Sequence, residues 1–338
     1  MSLYCGIDLH STNQVVVILD EADRPVLERR LPNRLEVVLE ALGSYQEDLV
    51  GVAVESTYNW YWLVDGLMDA NHTVSLVNTS AVKQYEGLKH TDDRHDARWL
   101  AHLLRLGILP TGYIYPKQER PVRDLLRHRT RLVEQRTANL LSVQNVLARE
   151  TGQMIKGNEL KALTTAGVRE RVSSAELCLA LDSRLRLIGL LDEEIERLEK
   201  AVLEQGKLRP EYRVLLSAPG IGQTLGLLIM YETGDIGRFP GVGHYASYCR
   251  CVRSDRVSNR KKKGEGNRKN GNPYLSWAFG QAAHFARRYQ PQARKFYDRK
   301  LAQRGPVVAN RALAHKLSRA VYFMLRDQTR FDPGKLFQ

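Results

Sequence analysis

Acidic residues inside segments that are otherwise typical of buried strands constrain the fold of this chain more than any other feature. Asp8 lies within an apolar run that begins at Cys5, and Glu55 ends another apolar run. A carboxylate removed from water is costly unless something pairs with it. Asp93 and Asp96 lie three residues apart at the start of a helical pattern, so their side chains face the same way. The four acids predict a divalent-metal site and phosphodiester chemistry.

Two points about this acidic set remain open from the residues alone. Asp92 is an alternative ligand to Asp93, although its side chain would point away from that of Asp96 by about 40°. Asp92 and Asp93 are also the kind of acids that the helix macrodipole favours near a helix N-terminus. That structural explanation is weak for Asp8. The expected ion is Mg²⁺, as a pair or alone, because it prefers oxygen ligands and often shares them with phosphates.

The charges along the chain separate an acidic part from a basic one. Residues 1–115 contain 9 Lys and Arg against 16 Asp and Glu, whereas the remainder contains 42 against 22. The balances are therefore −7 and +20, within a total of +13. A basic body of this size indicates a polyanionic partner, bound through phosphate neutralisation and counterion release. A generally basic soluble protein is the plainer interpretation, and the uneven distribution favours nucleic acid.

Several classes of protein are disfavoured by the sequence. Apolar runs stay well below the ~18 residues that a membrane helix needs, and the N-terminus lacks the pattern of a signal peptide. The four cysteines form neither a disulfide framework nor a paired zinc motif, which fits a reducing cytoplasm; they are Cys5, Cys178, Cys249 and Cys251.

The order of strand-like and helix-like segments predicts an α/β domain over residues 1–115. Apolar and β-branched runs predict strands at 3–9, 13–20, 25–31, 50–55 and 73–78. Helical spacing covers residues 35–45 and 60–70. An initial meander followed by alternating helices and strands is typical of a layered, mixed sheet.

Residues 116–205 change character and carry heptad spacing on two long segments. The positions are Leu126, Val133, Leu140 and Leu147, then Leu181, Ile188, Ile195 and Val202 with Leu191 and Leu198 beside them. Such spacing predicts a coiled-coil linker, either as an antiparallel helical hairpin or as helices that pair with another subunit. A plain helical linker packed on one domain is the alternative. Each interpretation makes this region a spacer or an assembly device.

From residue 206 to residue 338 the sequence predicts a third, mainly helical and basic domain. The turn Pro219–Gly222 between two helical patterns resembles a helix-hairpin-helix element. Gly220 and Gly222 would let the backbone approach a phosphate beside a helix N-terminus. An ordinary glycine-containing connection is the alternative.

The most basic segment lies between residues 250 and 269. Its cations are candidate nucleic-acid ligands: Arg250, Arg253, Arg256, Arg260, Lys261, Lys262, Lys263, Arg268 and Lys269. Glycine and asparagine predict a loop here. Ser254 and Ser258 lie among the cations, which would favour attack on a phosphodiester by lowering the hydroxyl pKa and stabilising the transition state. From residue types alone, a solvated basic loop with incidental serines is the better interpretation.

Taken together, these motifs resemble the DEDD transposases of the insertion-sequence one-ten family, also described as bridge-RNA-guided recombinases. The resemblance runs nearly end to end. Gly6–His10 and Val54–Thr57 resemble the first two acidic segments, and Thr91–Ala97 resembles the K-x-D-x-x-D-A motif, which selects Asp93 over Asp92. Pro219–Gly222, and Gly234-Asp235 with Phe239, resemble the C-terminal transposase domain.

The resemblance implies an RNase H-like, RuvC-like N-terminal domain, a coiled-coil linker and a helical C-terminal domain. It implies magnesium at the four acids, and a serine that forms a covalent 5′-phosphoserine link to DNA on the way to a Holliday junction. It also implies a structured noncoding guide RNA that pairs with target and donor DNA. Dimers assembling into a tetramer would combine the acids of one subunit with the serine of another, in the bacterial cytoplasm at the nucleoid.

The chain departs from the family pattern around the serine. Aligning Lys269–Asn272 with the family's K-x-G-N places Val257–Arg260 on the family's Ser-Ser-Gly-Gly. Ser258 therefore takes the second serine position and is the expected nucleophile, with Ser254 as the second candidate. The alternatives to a recombinase are a RuvC-like junction nuclease in which water attacks, and a non-catalytic nucleic-acid binder.

Overall fold

The computed structural model describes residues 1–82, 92–252, 255–265 and 270–337. The chain divides into two compact units, Met1–Lys117 and Gln118–Gln338. The first ends two residues beyond the predicted boundary at 115. The helices of the predicted linker belong to the same compact unit as the C-terminal region, and a separate linker domain stays a prediction.

The first unit is a mixed sheet between two layers of helices. Its elements are β1 (Leu3–Leu9), β2 (Asn13–Leu19), β3 (Pro25–Pro32), α1 (Leu35–Gly43), β4 (Leu49–Glu55), α2 (Tyr61–Asp69), β5 (Val74–Val77) and α3 (Asp93–Arg105). The strand order is β3-β2-β1-β4-β5. β1, β2 and β3 pair antiparallel, whereas β4 and β5 continue parallel to β1. This arrangement fits the RNase H-like domain that the resemblance implies.

Both faces of the central strands are covered, which explains why their sequences are almost continuously apolar. In β2, Val16 and Ile18 pack in the core with α1 and α2, whereas Val15 and Val17 pack against α3. Gly6 of β1 lies directly beneath α3: a Cβ at this position would collide with Ala97 O and lie 2.7 Å from Ala101 N. The missing side chain therefore lets α3 lie directly on the sheet.

The heptad segments form two long helices that pack on each other. They are α4 (Arg120–Thr151) and α7 (Ala175–Gly206), with the short helices α5 (Gly157–Lys161) and α6 (Thr165–Arg169) between them. The ion pairs Arg129–Glu199 and Arg136–Asp192 show that the two helices run in opposite directions. The antiparallel hairpin is confirmed, whereas supercoiling and assembly through it stay predictions.

The rest of the second unit is mainly helical, as predicted. It contains α8 (Pro210–Leu215), α9 (Gln223–Thr233), a 3₁₀ turn (Ile236–Arg238), α10 (Val242–Tyr248), α11 (Pro273–Tyr289), α12 (Pro291–Arg304), α13 (Pro306–Asp327) and α14 (Pro333–Leu336). Their core surrounds the fully buried rings of Tyr245 and Phe279. Within the described ranges, no helix combines the length and apolarity required to cross a membrane.

The basic segment is a β-hairpin where the sequence predicts a loop. β6 (Asp255–Ser258) pairs antiparallel with β7 (Lys261–Glu265) across a two-residue turn. The turn residues Asn259 and Arg260 have φ of 49° and 59°. Two consecutive residues with positive φ form the turn type that best matches the twist of paired strands. The loop prediction was wrong because it read the asparagine as a breaker and not as a turn residue.

Candidate active site

The parallel pairing of β1 and β4 places two predicted acids at one edge of the sheet. Ile7 pairs with Val54, and Asp8 and Glu55 are the next residues on the two strands, so they lie side by side. Both acids alternate with residues of the α1–α2 core and therefore face α3. Asp8 is only 4% exposed, which confirms it as a buried acid.

Helix α3 brings the other two acids to the same edge. Asp92 is its N-cap and accepts a hydrogen bond from His95 N at 2.8 Å, so this carboxylate is engaged in capping. Asp93 and Asp96 occupy the first turn. The cap explains in structural terms why Asp93, and not Asp92, turns towards Asp8.

Asp8 lies between two groups of side chains. On one side, His10 Nε2 lies 3.2 Å from Asp8 Oδ2 and 3.3 Å from Asp93 Oδ2, while Arg30 of β3 donates to Asp93. The hydrogen bond from Arg30, more than any other neighbour, holds the pKa of Asp93 below its ordinary value. His10 and Arg30 were missed by the sequence reasoning, although His10 lies only two residues after Asp8.

On the other side of Asp8, two carboxyls are held in a form that resists ionisation. Burial, a hydrogen bond with Asp8 and the charges of Asp8 and Asp96 raise the pKa of Glu55 to about 8. Burial and the Asp8 charge also raise the pKa of Asp96. A cavity of about 270 Å³ opens beside these two acids; it is lined by Glu55, Val77, Thr79, Val82, Asp96, Trp99 and Leu100.

The predicted nucleophile lies in the second unit, on the tip of the hairpin. Ser258 is exposed and ends β6, directly opposite Lys261 at the start of β7. Directly opposed residues project from the same face of a two-stranded ribbon, so a cation accompanies the hydroxyl. The positions aligned with the family's two glycines, Asn259 and Arg260, are the two turn residues with positive φ. Asparagine tolerates this conformation, whereas for Arg260 it costs about 1 kcal/mol.

The remaining predicted nucleic-acid ligands are placed as follows. Lys261, Lys262 and Lys263 of β7 are exposed, as is Arg260. Arg250 precedes the hairpin and donates from Nε to Asn270 O at 3.0 Å. Arg256 belongs to β6; Arg253, Ser254, Arg268 and Lys269 lie outside the described residues.

The two glycines of the Pro219–Gly222 turn differ in their surroundings. Gly220 has φ of 80°, and a Cβ there would collide with Ala282 O of α11 and lie 2.6 Å from Ala286 N. Close packing on α11 therefore accounts for this glycine. Gly222 is the N-cap of α9 and faces open space. Phosphate contacts by either glycine stay predictions.

Comparison with known proteins assigns both units. The family model of IS110-type DEDD transposases matches residues 5–150, and that of the transposase IS116/IS110/IS902 family matches residues 212–298. The chain belongs to the IS110/IS116/IS902 family of transposases. It is also 23% identical to the transposase for insertion sequence element IS1111A of Coxiella burnetii, over 97% of this chain and 91% of that protein.

Membership of this transposase family makes the chain a DNA-processing enzyme. The order Asp, Glu, Asp, Asp in the family label is the order of Asp8, Glu55, Asp93 and Asp96, all within the first matched region. Family membership also indicates the use of a divalent metal. The described side chains fit one, because carboxylate oxygens of Asp8 and Asp93 and a nitrogen of His10 lie within 4.8 Å of one another.

The donors in this cluster differ in the divalent metals that they suit. Carboxylates suit Mg²⁺, whereas imidazole suits transition metals. The raised pKa of Glu55 and Asp96 is also what adjacent carboxylates show when their mutual repulsion is not neutralised by a cation. His10 Nε2 lies within 3.3 Å of a carboxylate oxygen of both Asp8 and Asp93.

The pKa of Glu55 makes the stability of the metal-free transposase depend on pH. Glu55 binds its proton up to about pH 8 in the folded chain, against an ordinary value of 4.5. Between these values the folded state carries the additional proton, so its stability falls as pH rises through this window. We expect chemical denaturation in EDTA to show this fall, and Glu55→Gln to remove part of it. An unchanged pH profile in Glu55→Gln would contradict the prediction.

Asp92 and Asp93 offer a matched pair of substitutions. Asp93→Asn should lower DNA cleavage by roughly 10²–10³-fold, as loss of a group that stabilises developing charge does. Asp92→Asn should leave cleavage near the wild-type rate, because asparagine caps a helix as well as aspartate. Initial rates of strand cleavage under the same magnesium concentration measure both. A larger loss in Asp92→Asn than in Asp93→Asn would reverse the assignment.

Proposed function

We propose that this transposase is an RNA-guided DNA recombinase that moves its own insertion element. The observation that carries the proposal is the four-acid cluster around Asp8, in a domain matched by the family of DEDD transposases. Asp8, Glu55, Asp93 and Asp96 would hold Mg²⁺, which would supply activation of the attacking oxygen and stabilisation of the leaving one. The cluster would hold one ion or two.

Ser258 is the proposed nucleophile. Its Oγ attacks a backbone phosphorus and loses its proton, and the bond to the deoxyribose 3′ oxygen breaks. That oxygen takes up a proton and leaves as a 3′-hydroxyl, while the serine retains a 5′-phosphoserine link. Strand exchange through a Holliday junction would reverse this step on the partner DNA. Lys261, which pairs with Ser258 in the hairpin, supports the assignment because its cation would stabilise the charge that develops on the phosphate.

Two arguments support the proposed partners: the distribution of charge, and recognition of DNA sequence by base pairing with an RNA. The basic second unit would bind the backbones of target DNA, donor DNA and a structured noncoding RNA. Delegating sequence recognition to the RNA leaves the protein to read backbone shape, as in other guided systems. We place this reaction in the bacterial cytoplasm, at the nucleoid.

A dimer that assembles into a tetramer is proposed for the helical hairpin. Leu141 of α4 and Leu179, Leu187 and Leu190 of α7 are 43–72% exposed on its outer surface. Exposed leucines repeated along paired helices are typical of an assembly surface. In the assembly, the acids of one subunit would work with the serine of another.

Reconstitution tests the proposal. The purified chain, Mg²⁺, duplexes carrying target and donor sites and an RNA transcribed from the DNA flanking the reading frame are combined, with each component omitted in turn. We expect recombinant DNA only in the complete mixture, and denatured DNA whose gel shift is removed by protease. Free 5′-phosphate ends without an adduct would support the water-dependent nuclease instead, and binding without cleavage the non-catalytic binder.

A further inference from the structure

The chain segment that carries the serine hairpin leaves and re-enters the helical body at a single point. It departs after α10 and returns at α11, where Asn272 N donates to Tyr248 O at 2.6 Å. Gly271 has φ of 86°, and a Cβ there would lie 2.6 Å from the same carbonyl oxygen. This contact between Tyr248 and Asn272 forms the base of the segment that carries the hairpin.

A buried carboxylate lies immediately behind this base. Glu232, near the end of the apolar helix α9, is 0% exposed. Its Oε1 accepts from Arg127 Nε, and its Oε2 accepts from Arg127 Nη2 at 2.9 Å and from Arg123 Nε at 3.1 Å. The two arginines of α4 hold the pKa of Glu232 below its ordinary value despite its burial. A carboxylate this deep persists only where charge and hydrogen bonds compensate for lost hydration.

Asn272 joins this cluster to the hairpin base. Its Nδ2 donates to Glu232 Oε2 at 2.6 Å, while its Oδ1 accepts from Tyr274 N at 2.9 Å and Leu275 N at 3.1 Å. The side chain is 3% exposed, so both ends of its amide are used inside the protein. Capping α11 alone requires only the oxygen, and aspartate or serine would provide it. The amide donor is the feature that the pairing with Glu232 explains.

We propose that the cluster of Arg123, Arg127, Glu232 and Asn272, whose central carboxylate is buried, positions Ser258 by fixing the base of its hairpin. The cluster ties three elements together at that base: α4 through the arginines, α9 through Glu232, and the start of α11 through Asn272. Glu232 and Asn272 are positioning residues, because they act on the reaction through the hairpin. The inference rests on the proposed role of Ser258 for its chemical consequence, whereas the fixation of the hairpin is independent of that role.

Exchanging the two side chains provides the sharpest experiment. Asn272→Asp retains the helix cap and sets a second carboxylate against Glu232. Glu232→Gln removes the carboxylate charge that Arg123 and Arg127 share. The double variant Glu232→Gln/Asn272→Asp restores one carboxylate and one amide, but the amide at position 232 now donates to the carboxylate at position 272. Asn310→Asp is the matched control, because Asn310 donates to Gly280 O on α11, away from the hairpin.

Two readouts are measured on the full chain: the rate of covalent adduct formation with DNA and Mg²⁺, and amide hydrogen exchange across residues 255–265. We expect each single variant to lower the adduct rate by about 10-fold or more and to speed exchange in the hairpin, and the double variant to recover most of both. Asn310→Asp should change neither. DNA affinity and thermal unfolding are followed in parallel.

The outcomes separate positioning from general stabilisation. Unchanged hairpin exchange in Asn272→Asp, or a double variant no better than the worse single variant, would overturn the proposal. Equal losses of adduct formation, DNA affinity and melting temperature, with hairpin exchange unaltered, would also overturn it in favour of a purely structural role. If the wild-type chain forms no adduct, the proposed function fails, and the exchange measurements still decide whether the cluster fixes the hairpin.

Discussion

Asp8→Asn is expected to abolish DNA strand cleavage while the first unit remains folded. Asp8 is the acid that the other three surround. It is hydrogen-bonded to Glu55, and its charge raises the pKa of Asp96. His10 Nε2 lies close to the carboxylates of both Asp8 and Asp93. Replacing one of its carboxylate oxygens by an amide nitrogen removes a proposed metal ligand from the centre of the cluster. We expect a loss of about 10³-fold or more in the cleavage rate.

The same substitution should not destabilise the metal-free protein. The charge of Asp8 contributes to the raised pKa of both Glu55 and Asp96, so its removal relieves repulsion between buried acids. Thermal unfolding in EDTA should therefore occur at the wild-type temperature or above. Adding Mg²⁺ should stabilise the wild type by ligand binding and have a smaller effect on Asp8→Asn.

Asp20→Asn is the matched control for Asp8→Asn. Asp20 is equally buried, at 3% exposed, but it is paired within its own turn: Oδ1 accepts from the amides of Ala22 and Arg24, and Oδ2 accepts from Arg24 Nε at 2.8 Å. Its substitution should affect stability and leave the cleavage rate per folded molecule unchanged. Cleavage by Asp8→Asn at the wild-type rate, with folding intact, would remove the acid cluster from the mechanism.

The acid cluster was largely predictable because each acid stands out against its local pattern. Asp8 interrupts a buried strand and Asp96 follows Asp93 by one helical turn, so spacing alone placed them on shared faces. His10 and Arg30 were not predictable, because their approach to Asp93 depends on strand register and on how closely α3 lies on the sheet. That approach is set by the absence of a side chain at Gly6, which the sequence offers only as one glycine among 25.

In the second unit the helices could be predicted from the sequence, but the buried charged cluster could not. Its helices follow from periodicity, yet Glu232 passed unnoticed inside an apolar helix, although the argument applied to Asp8 applies equally to it. What distinguishes the two is the partner: Asp8 meets other acids, whereas Glu232 meets two arginines from a helix more than 100 residues earlier in the chain. A buried acid can thus be found from sequence, but whether it holds a metal or a structural ion pair is decided by tertiary contacts.

Ser258→Ala is the second substitution with a large expected effect. If Ser258 is the nucleophile, covalent adducts should fall by more than about 10⁴-fold, below detection, as when a covalent nucleophile is removed. DNA affinity should persist, because the exposed cations of the hairpin, among them Arg260 and Lys261, are retained. Adducts are detected as protease-sensitive shifts of denatured DNA, and the modified serine is mapped by peptide sequencing.

The choice of Ser258 depends on the turn that follows it, and the controls are designed around that turn. Ser254→Ala should form adducts at the wild-type rate. Arg260→Gly should also retain them, since glycine adopts the positive φ of this position without strain and keeps the hydroxyl opposite Lys261. Adducts at wild-type levels in Ser258→Ala would rule out this serine, and their loss in Ser254→Ala would move the nucleophile outside the hairpin. Loss in Ser258→Ala alone, with the turn variant active, would tie the chemistry to the residue that ends β6.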